Sequence, residues 1–118
     1  MSAAILEVLI IDPYAREVRE QILRKDELRD IYSAIGKGCT NFEATYPRSL
    51  GVQCVYVDGE GLFGGQHAAF GFAHDQDQVF MGRGIVIGTD EGGHSCSCPL
   101  TRKQVEECVI WFDIGSIA

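Results

Sequence analysis

An apolar run closed by an acidic, glycine-rich turn constrains this chain more than any other feature. Gly84-Ile85-Val86-Ile87-Gly88 leads directly into Thr89-Asp90-Glu91-Gly92-Gly93. β-Branched residues favour an extended backbone, and Asp and Gly are the residues that tight turns require. Glycine interrupts the chain elsewhere as well. Fourteen glycines in 118 residues argue for several tight turns and against an all-helical bundle.

The N-terminal run from Ala4 to Ile11 is apolar except for Glu7, which suits a strand covered on both faces. Asp12-Pro13 stops it and starts a turn. Glu17 to Leu23 admits two readings. Val18 and Ile22 fit a helix at i, i+4, and equally fit alternate positions of a strand with Glu20 between them; the short connection favours a hairpin. Asp26 to Ile35 is the first clear helix, with Leu28, Ile31, Tyr32 and Ile35 on one face and Gly36 just past its end. Strands are expected at Asn41 to Thr45, Val52 to Val57, His67 to Phe72 and Gln78 to Met81, with His94 to Cys98 pairing back as an edge strand. Thr101 and Gln104 form a capping-box pattern that opens a second helix, whose apolar face would be Val105, Cys108, Val109 and Phe112. The expectation is a single α+β domain over residues 1–118, a mainly antiparallel sheet with two helices, the first strand central and the Thr101 helix packed across the sheet.

Three motifs carry a resemblance: Val8-Leu9-Ile10-Ile11-Asp12-Pro13, Val55-Tyr56-Val57-Asp58-Gly59-Glu60-Gly61, and the Gly84 to Gly93 stretch. With this set the chain resembles, from Val8 to Trp111, an uncharacterised family of small phage-, prophage- and plasmid-borne proteins classed as a domain of unknown function. The resemblance supports the hairpin reading of Glu17 to Leu23. It implies an accessory protein of a mobile element that acts by binding a host component, a counter-defence factor being one such role. The cysteine-rich His94 to Cys98 segment and an insertion-like Phe70 to Gln78 depart from the family pattern.

Charge and cysteine usage narrow the partners. Ten basic residues against 17 acidic ones give a net charge of −7, and no Lys or Arg lies between Arg48 and Arg83. Duplex nucleic acid is bound by Lys and Arg neutralising phosphates, so nucleic acid is not expected as a partner. An acidic surface can meet a basic protein, although solubility alone accounts for a modest negative charge. No stretch reaches the ~18 continuous apolar residues of a membrane-spanning helix. Ile5 to Ile11 lacks the preceding basic region of a signal peptide, so no membrane association and a cytoplasmic location in a bacterial host are expected. Five cysteines, an odd number without the spacing of a secreted framework, fit free and mostly buried thiols.

Several residue groups have the chemistry of a site. His94, Cys96 and Cys98 alternate with serines and supply zinc-ligand types, with Cys39, Cys54 or His67 as a distant fourth. The set is incomplete, and no metal or other cofactor is expected. Asp58, Glu60, Asp90 and Glu91 fall in turns; two adjacent turns could share a cation, but turn formation alone explains them. Glycines at 59–65 and 82–84 can present backbone N–H groups to an anion, with Gln66, His67, Phe70 and Phe72 adding polar and stacking contacts, although aromatic residues at alternating strand positions more often fill a core. A small-molecule binder of a nucleotide-like signal is therefore the second reading, and a Cys/His enzyme the third. Neither nucleophile elbow nor other catalytic signature singles out a pair. For ligand or partner binding the candidates are Gln66, His67, Arg83, Asp58 and Glu60, because Gln66, His67, Asp75 and Asp77 have no evident structural task in the sequence.

Overall fold

The N-terminal run has two buried faces, and that sets the layering. The structure, a computed structural model, describes residues 5–25, 28–36, 41–51, 53–59 and 68–113, without the side chains of residues 28, 76, 77 and 113. Among these the elements are, in chain order, β1 (Ile5–Asp12), β2 (Glu17–Arg24), α1 (Leu28–Ile35), β3 (Phe42–Thr45), a 3-10 turn (Arg48–Leu50), β4 (Cys54–Asp58), β5 (Ala68–Phe72), β6 (Asp75–Met81), β7 (Gly84–Thr89), β8 (Ser95–Cys96), α2 (Arg102–Glu106) and β9 (Val109–Asp113). Every strand pair is antiparallel. The fold is α+β, with strands outweighing its two helices.

The main sheet has the order β2-β1-β7-β4-β3, with β8 added on β7; a second sheet has the order β6-β5-β9. Side chains alternate across an extended strand, so β1 feeds two cores at once. Leu9 and Ile11 join Val55, Val57, Val86, Phe70 and Phe72 between the two sheets. Leu6, Val8 and Ile10 join Ile85, Ile87, Ala34 and Ile35 beneath α1. β1 is interior, but β7 holds the middle of the sheet. β7 is buried along its length except at Thr89, as expected for a β-branched run covered on both sides.

Glu17 to Leu23 is a strand. It pairs with β1 without a break from Asp12↔Glu17 to Ile5↔Arg24, and its buried Val18 and Leu23 feed opposite cores. α1 closes at Gly36, whose N–H donates to the Tyr32 carbonyl at 3.0 Å. At Gly84 the sheets touch. A Cβ there would stand 2.5 Å from Phe70 Cζ, so only a hydrogen fits.

The second helix corrects the sequence expectation. Its capping box forms, with the Gln104 N–H donating to Thr101 Oγ1 at 3.2 Å and the Thr101 N–H to Gln104 Oε1 at 2.8 Å. The helix nevertheless ends at Glu106 and places only Val105 in the core. Val109 and Phe112 belong to β9, paired with β5 through Phe72↔Val109 and Ala69↔Phe112. A Val-Ile-Trp-Phe run favours extended backbone, and the buried β5 offers it a full row of hydrogen bonds. The second sheet therefore covers the face that a longer helix was expected to cross, and α2 lies against β2. No described helix is long and apolar enough to cross a membrane.

Candidate functional site

Strand register gathers one polar cluster at an end of the main sheet. Gly84 pairs with Ile11 on one side and Val57 on the other. One residue further along, Arg83 therefore lies between Asp12 at the end of β1 and Asp58 at the end of β4. Asp12 is the buried charged residue of the core, 4% exposed. Its Oδ1 accepts the N–H groups of Tyr14 (3.0 Å) and Ala15 (3.2 Å), which closes the turn after β1. Its Oδ2 accepts Arg19 Nη1 at 2.7 Å and Arg83 Nε at 3.2 Å. Burial alone would raise this carboxyl. The hydrogen bonds from Arg19, Ala15 and Arg83 outweigh that and hold it below the usual carboxylate range.

Arg83 is held from three sides. Its Nε is on Asp12, its guanidinium lies 5.1 Å over the Tyr14 ring, and its Nη1 stands 3.5 Å from where a Cβ on Gly36 would be. The stack is a cation–π contact of the kind that fixes an arginine plane. Burial raises the Tyr14 phenol above its ordinary value; Arg83 opposes this, while Asp12 and Asp58 add to it. About a third of each side chain still meets solvent, 32% for Arg83 and 36% for Tyr14. The result is a rigid Arg–Tyr ledge flanked by Asp58. Asp58 also borders a groove of about 290 Å³ between the β3–β4 edge and β6, with Thr45, Val57, Gln78 and Phe80.

Of the sequence candidates, Arg83 and Asp58 come together here. Gln66, His67 and Glu60 lie outside the described residues, as do Cys39 and Asp26. Sequence reasoning did not single out Asp12 and Tyr14. The available signal was an aspartate at the end of a fully buried run. Other expectations are corrected. Phe70 and Phe72 are fully buried in the core between the sheets, so neither ring can stack on a ligand. Asp75 has a structural task. Its carboxylate accepts the N–H groups of Arg48 (3.2 Å) and Ser49 (3.3 Å), capping the 3-10 turn.

The acidic turns do not meet. Antiparallel pairing puts Asp58 beside the start of β7 and Asp90 beyond its end. Asp90 Oδ1 accepts the N–H groups of Gly92 and His94, both at 2.9 Å, which is turn formation. His94 stands in that turn with 76% of its side chain exposed. Cys96 instead pairs opposite Gly88, and the Cys98 N–H donates to the Glu7 carbonyl at 2.8 Å. Cys54 and Cys98 pack on opposite faces of the main sheet. Among the described residues no three or more His, Cys, Asp or Glu side chains converge to hold a metal ion. Cys54, Cys96, Cys98 and Cys108 are free thiols, and burial pushes those of Cys54, Cys98 and Cys108 up. A raised thiol holds little of the thiolate that nucleophilic attack requires.

Asp12 gives the ledge a testable pH signature. Its folded value is depressed below that of the unfolded chain, so its stabilisation is complete above the unfolded carboxyl value, about pH 4, and is lost as pH falls through the folded value. Asp30, held at about 2 by bidentate Arg24, and Asp90, held down by its turn N–H groups, act in the same sense. Asp12→Asn is expected to cost about 2–3 kcal/mol at neutral pH. This is less than the loss of a fully buried partner, because Arg19 and Arg83 keep part of their hydration. Thermal melts from about pH 2 to pH 7 check this. The wild-type melting temperature should fall more steeply below pH 4 than that of Asp12→Asn. Parallel curves would show that Asp12 is not the acid-sensitive group.

A family described as "Domain of unknown function (DUF3846)" matches residues 6–112 of the chain. No curated protein and no solved structure gives a match.

Proposed function

We propose, for a chain that belongs to the DUF3846 family over residues 6–112, a non-enzymatic accessory protein that binds a host protein. The observation that carries this is the pre-organised ledge of Arg83 over Tyr14, fixed from below by buried Asp12. Arginine and tyrosine are the side chains that most often dominate protein interfaces, and a contact already held rigid loses little entropy on binding. Raised thiols and the scattered His94, Cys96 and Cys98 weigh against a Cys/His enzyme. In the fuller form of this reading, the protein serves a phage, prophage or plasmid in the bacterial cytoplasm, as a counter-defence factor. The residues proposed to meet the partner are Arg83, Asp58, Glu60, Gln66 and His67.

Capture from the natural bacterial host tests the reading. Tagged wild-type protein is expected to retain a partner that Tyr14→Ala loses, since Tyr14 is at the surface and its removal leaves the Asp12 network in place. Arg83→Lys should weaken retention, because an ammonium keeps the charge at Asp12 but not the planar stack. Equal capture by wild type and both variants would remove the ledge from the interface. A second reading, capture of a small anionic or nucleotide-like ligand, is favoured by the same exposed guanidinium plane. Mass spectrometry of small molecules released from the wild type, absent from Tyr14→Ala, would establish it in place of a protein partner.

A further inference from the structure

Away from the ledge, no described strand pairs with the outer side of β2. Among the described residues β2 ends the main sheet and pairs on one side alone, with β1. A strand edge is a row of N–H and C=O groups ready to pair, and proteins commonly protect it with lysine, proline, a bulge or a short strand. β2 carries charged side chains, Glu17, Arg19, Glu20 and Arg24, but no lysine, proline or bulge, and it runs eight residues in unbroken register. Both of its arginines are engaged, Arg19 by Asp12 and Glu17 and Arg24 by Asp30.

Beside this edge lies a groove of about 490 Å³. Register places Glu7 opposite Ile22 and Leu9 opposite Glu20, so these four side chains share one face. Cys98 and Leu100 form its far wall. Ile22 is 61% exposed in the middle of a strand, which leaves a large apolar side chain in water. The lining holds two carboxylates, Glu7 and Glu20, and no base.

We propose that the β2 edge and this groove receive an extended segment of another protein, added as a further strand and carrying Lys or Arg beside an apolar side chain. Main-chain hydrogen bonds along β2 would supply the pairing, and alternate side chains would enter the groove. An apolar group would cover Ile22 and Leu100 while cationic groups two residues to either side, on the same face of the added strand, meet Glu7 and Glu20. Charge selects this occupant over a second copy. The chain carries a net charge of −7, so a second copy is repelled overall while a cationic segment is attracted. The surface is separate from the Arg83 ledge, and neither proposal needs the other.

The probe is a fluorescent, end-capped peptide of repeating Lys-Thr-Val-Thr, which sets Lys and Val alternately along one face of a strand, with a repeating Glu-Thr-Val-Thr peptide as control. Fluorescence anisotropy should show binding of the Lys peptide alone, weakening as salt is raised. Amide exchange should slow in residues 17–24 when it binds. Glu7→Lys combined with Glu20→Lys should weaken binding by about tenfold or more, and Ile22→Lys should do likewise. These side chains are at the surface, so melting temperatures should stay near the wild type. Absence of binding, equal binding by the variants, or protection away from β2 would each overturn the proposal. A dimer in sedimentation that Glu20→Lys changes would also overturn it, by giving the edge to a second copy.

Discussion

Val86→Asp is expected to yield no folded protein. Val86 sits on the middle strand of the main sheet, fully buried, with Leu9 and Val55 beside it in register and Phe70 and Phe72 in the same cluster. Among the described residues the buried charged side chain is that of Asp12, itself a carboxylate. A carboxylate there loses its hydration without a partner, at an effective penalty of several kcal/mol, and escapes only by taking up a proton. A domain of this size is stabilised by about 5–15 kcal/mol in all, and the lost packing adds to the penalty. The near-isosteric Val86→Thr separates charge from shape. It should remain folded at a cost of about 1–3 kcal/mol for its buried hydroxyl. Circular dichroism and amide chemical-shift dispersion read both variants. A cooperative melt for Val86→Asp near the wild-type temperature would mean that the two-sided burial of β7 is wrong.

The second large effect is at the contact between the sheets. Phe70→Ala should cost about 3–5 kcal/mol, the range for removing a fully buried aromatic ring. The ring is 0% exposed and stacks edge-to-face on Phe72 at 5.7 Å and tilted on Phe80 at 5.5 Å. Its relation to Gly84 gives a sharper test than the loss alone. Gly84→Ala would drive a methyl to 2.5 Å from Phe70 Cζ, an overpacking that costs about 1–3 kcal/mol. Once the ring is gone that methyl has room, limited then by Val55 Cγ1 at 3.2 Å. The double variant should therefore be more stable than the sum of the single changes allows. Denaturant melts of all four proteins measure the coupling. Additive losses would mean that Gly84 and Phe70 do not touch.

Most strands, the hairpin, the end of the first helix and the start of the second were legible in the sequence because each is encoded locally. Period-two burial, the turn at Asp12-Pro13, Gly36 after α1 and the Thr101–Gln104 box each act over a few residues. The end of α2 was not legible. Val105, Cys108, Val109 and Phe112 fit a helical face and also fit a strand after a short helix. What decides between them is β5, far away in sequence. The candidate site was legible only in pieces. Arg83 and Asp58 stood out, but the register that joins them to Asp12 is a property of the assembled sheet. Asp75 showed no structural task in the sequence because the donors to its carboxylate, the N–H groups of Arg48 and Ser49, lie in another part of the chain. Phe70 and Phe72 showed aromatic alternation, which looks the same whether the rings fill a core or line a pocket.

The place of β9 in chain order governs how the protein can be made. A ribosome delivers β5 and β6 as a hairpin well before Val109–Asp113 emerges, and β9 is the strand that completes their sheet. Until then β5, whose five residues are all buried in the finished fold, has one open edge. Phe70 and Phe72 are then exposed on a two-stranded piece that is marginal in water by itself. Closure of this layer thus follows release of the C-terminal strand from the exit tunnel, and a stall in translation shortly before Val109 would leave a nascent chain with an aggregation-prone edge.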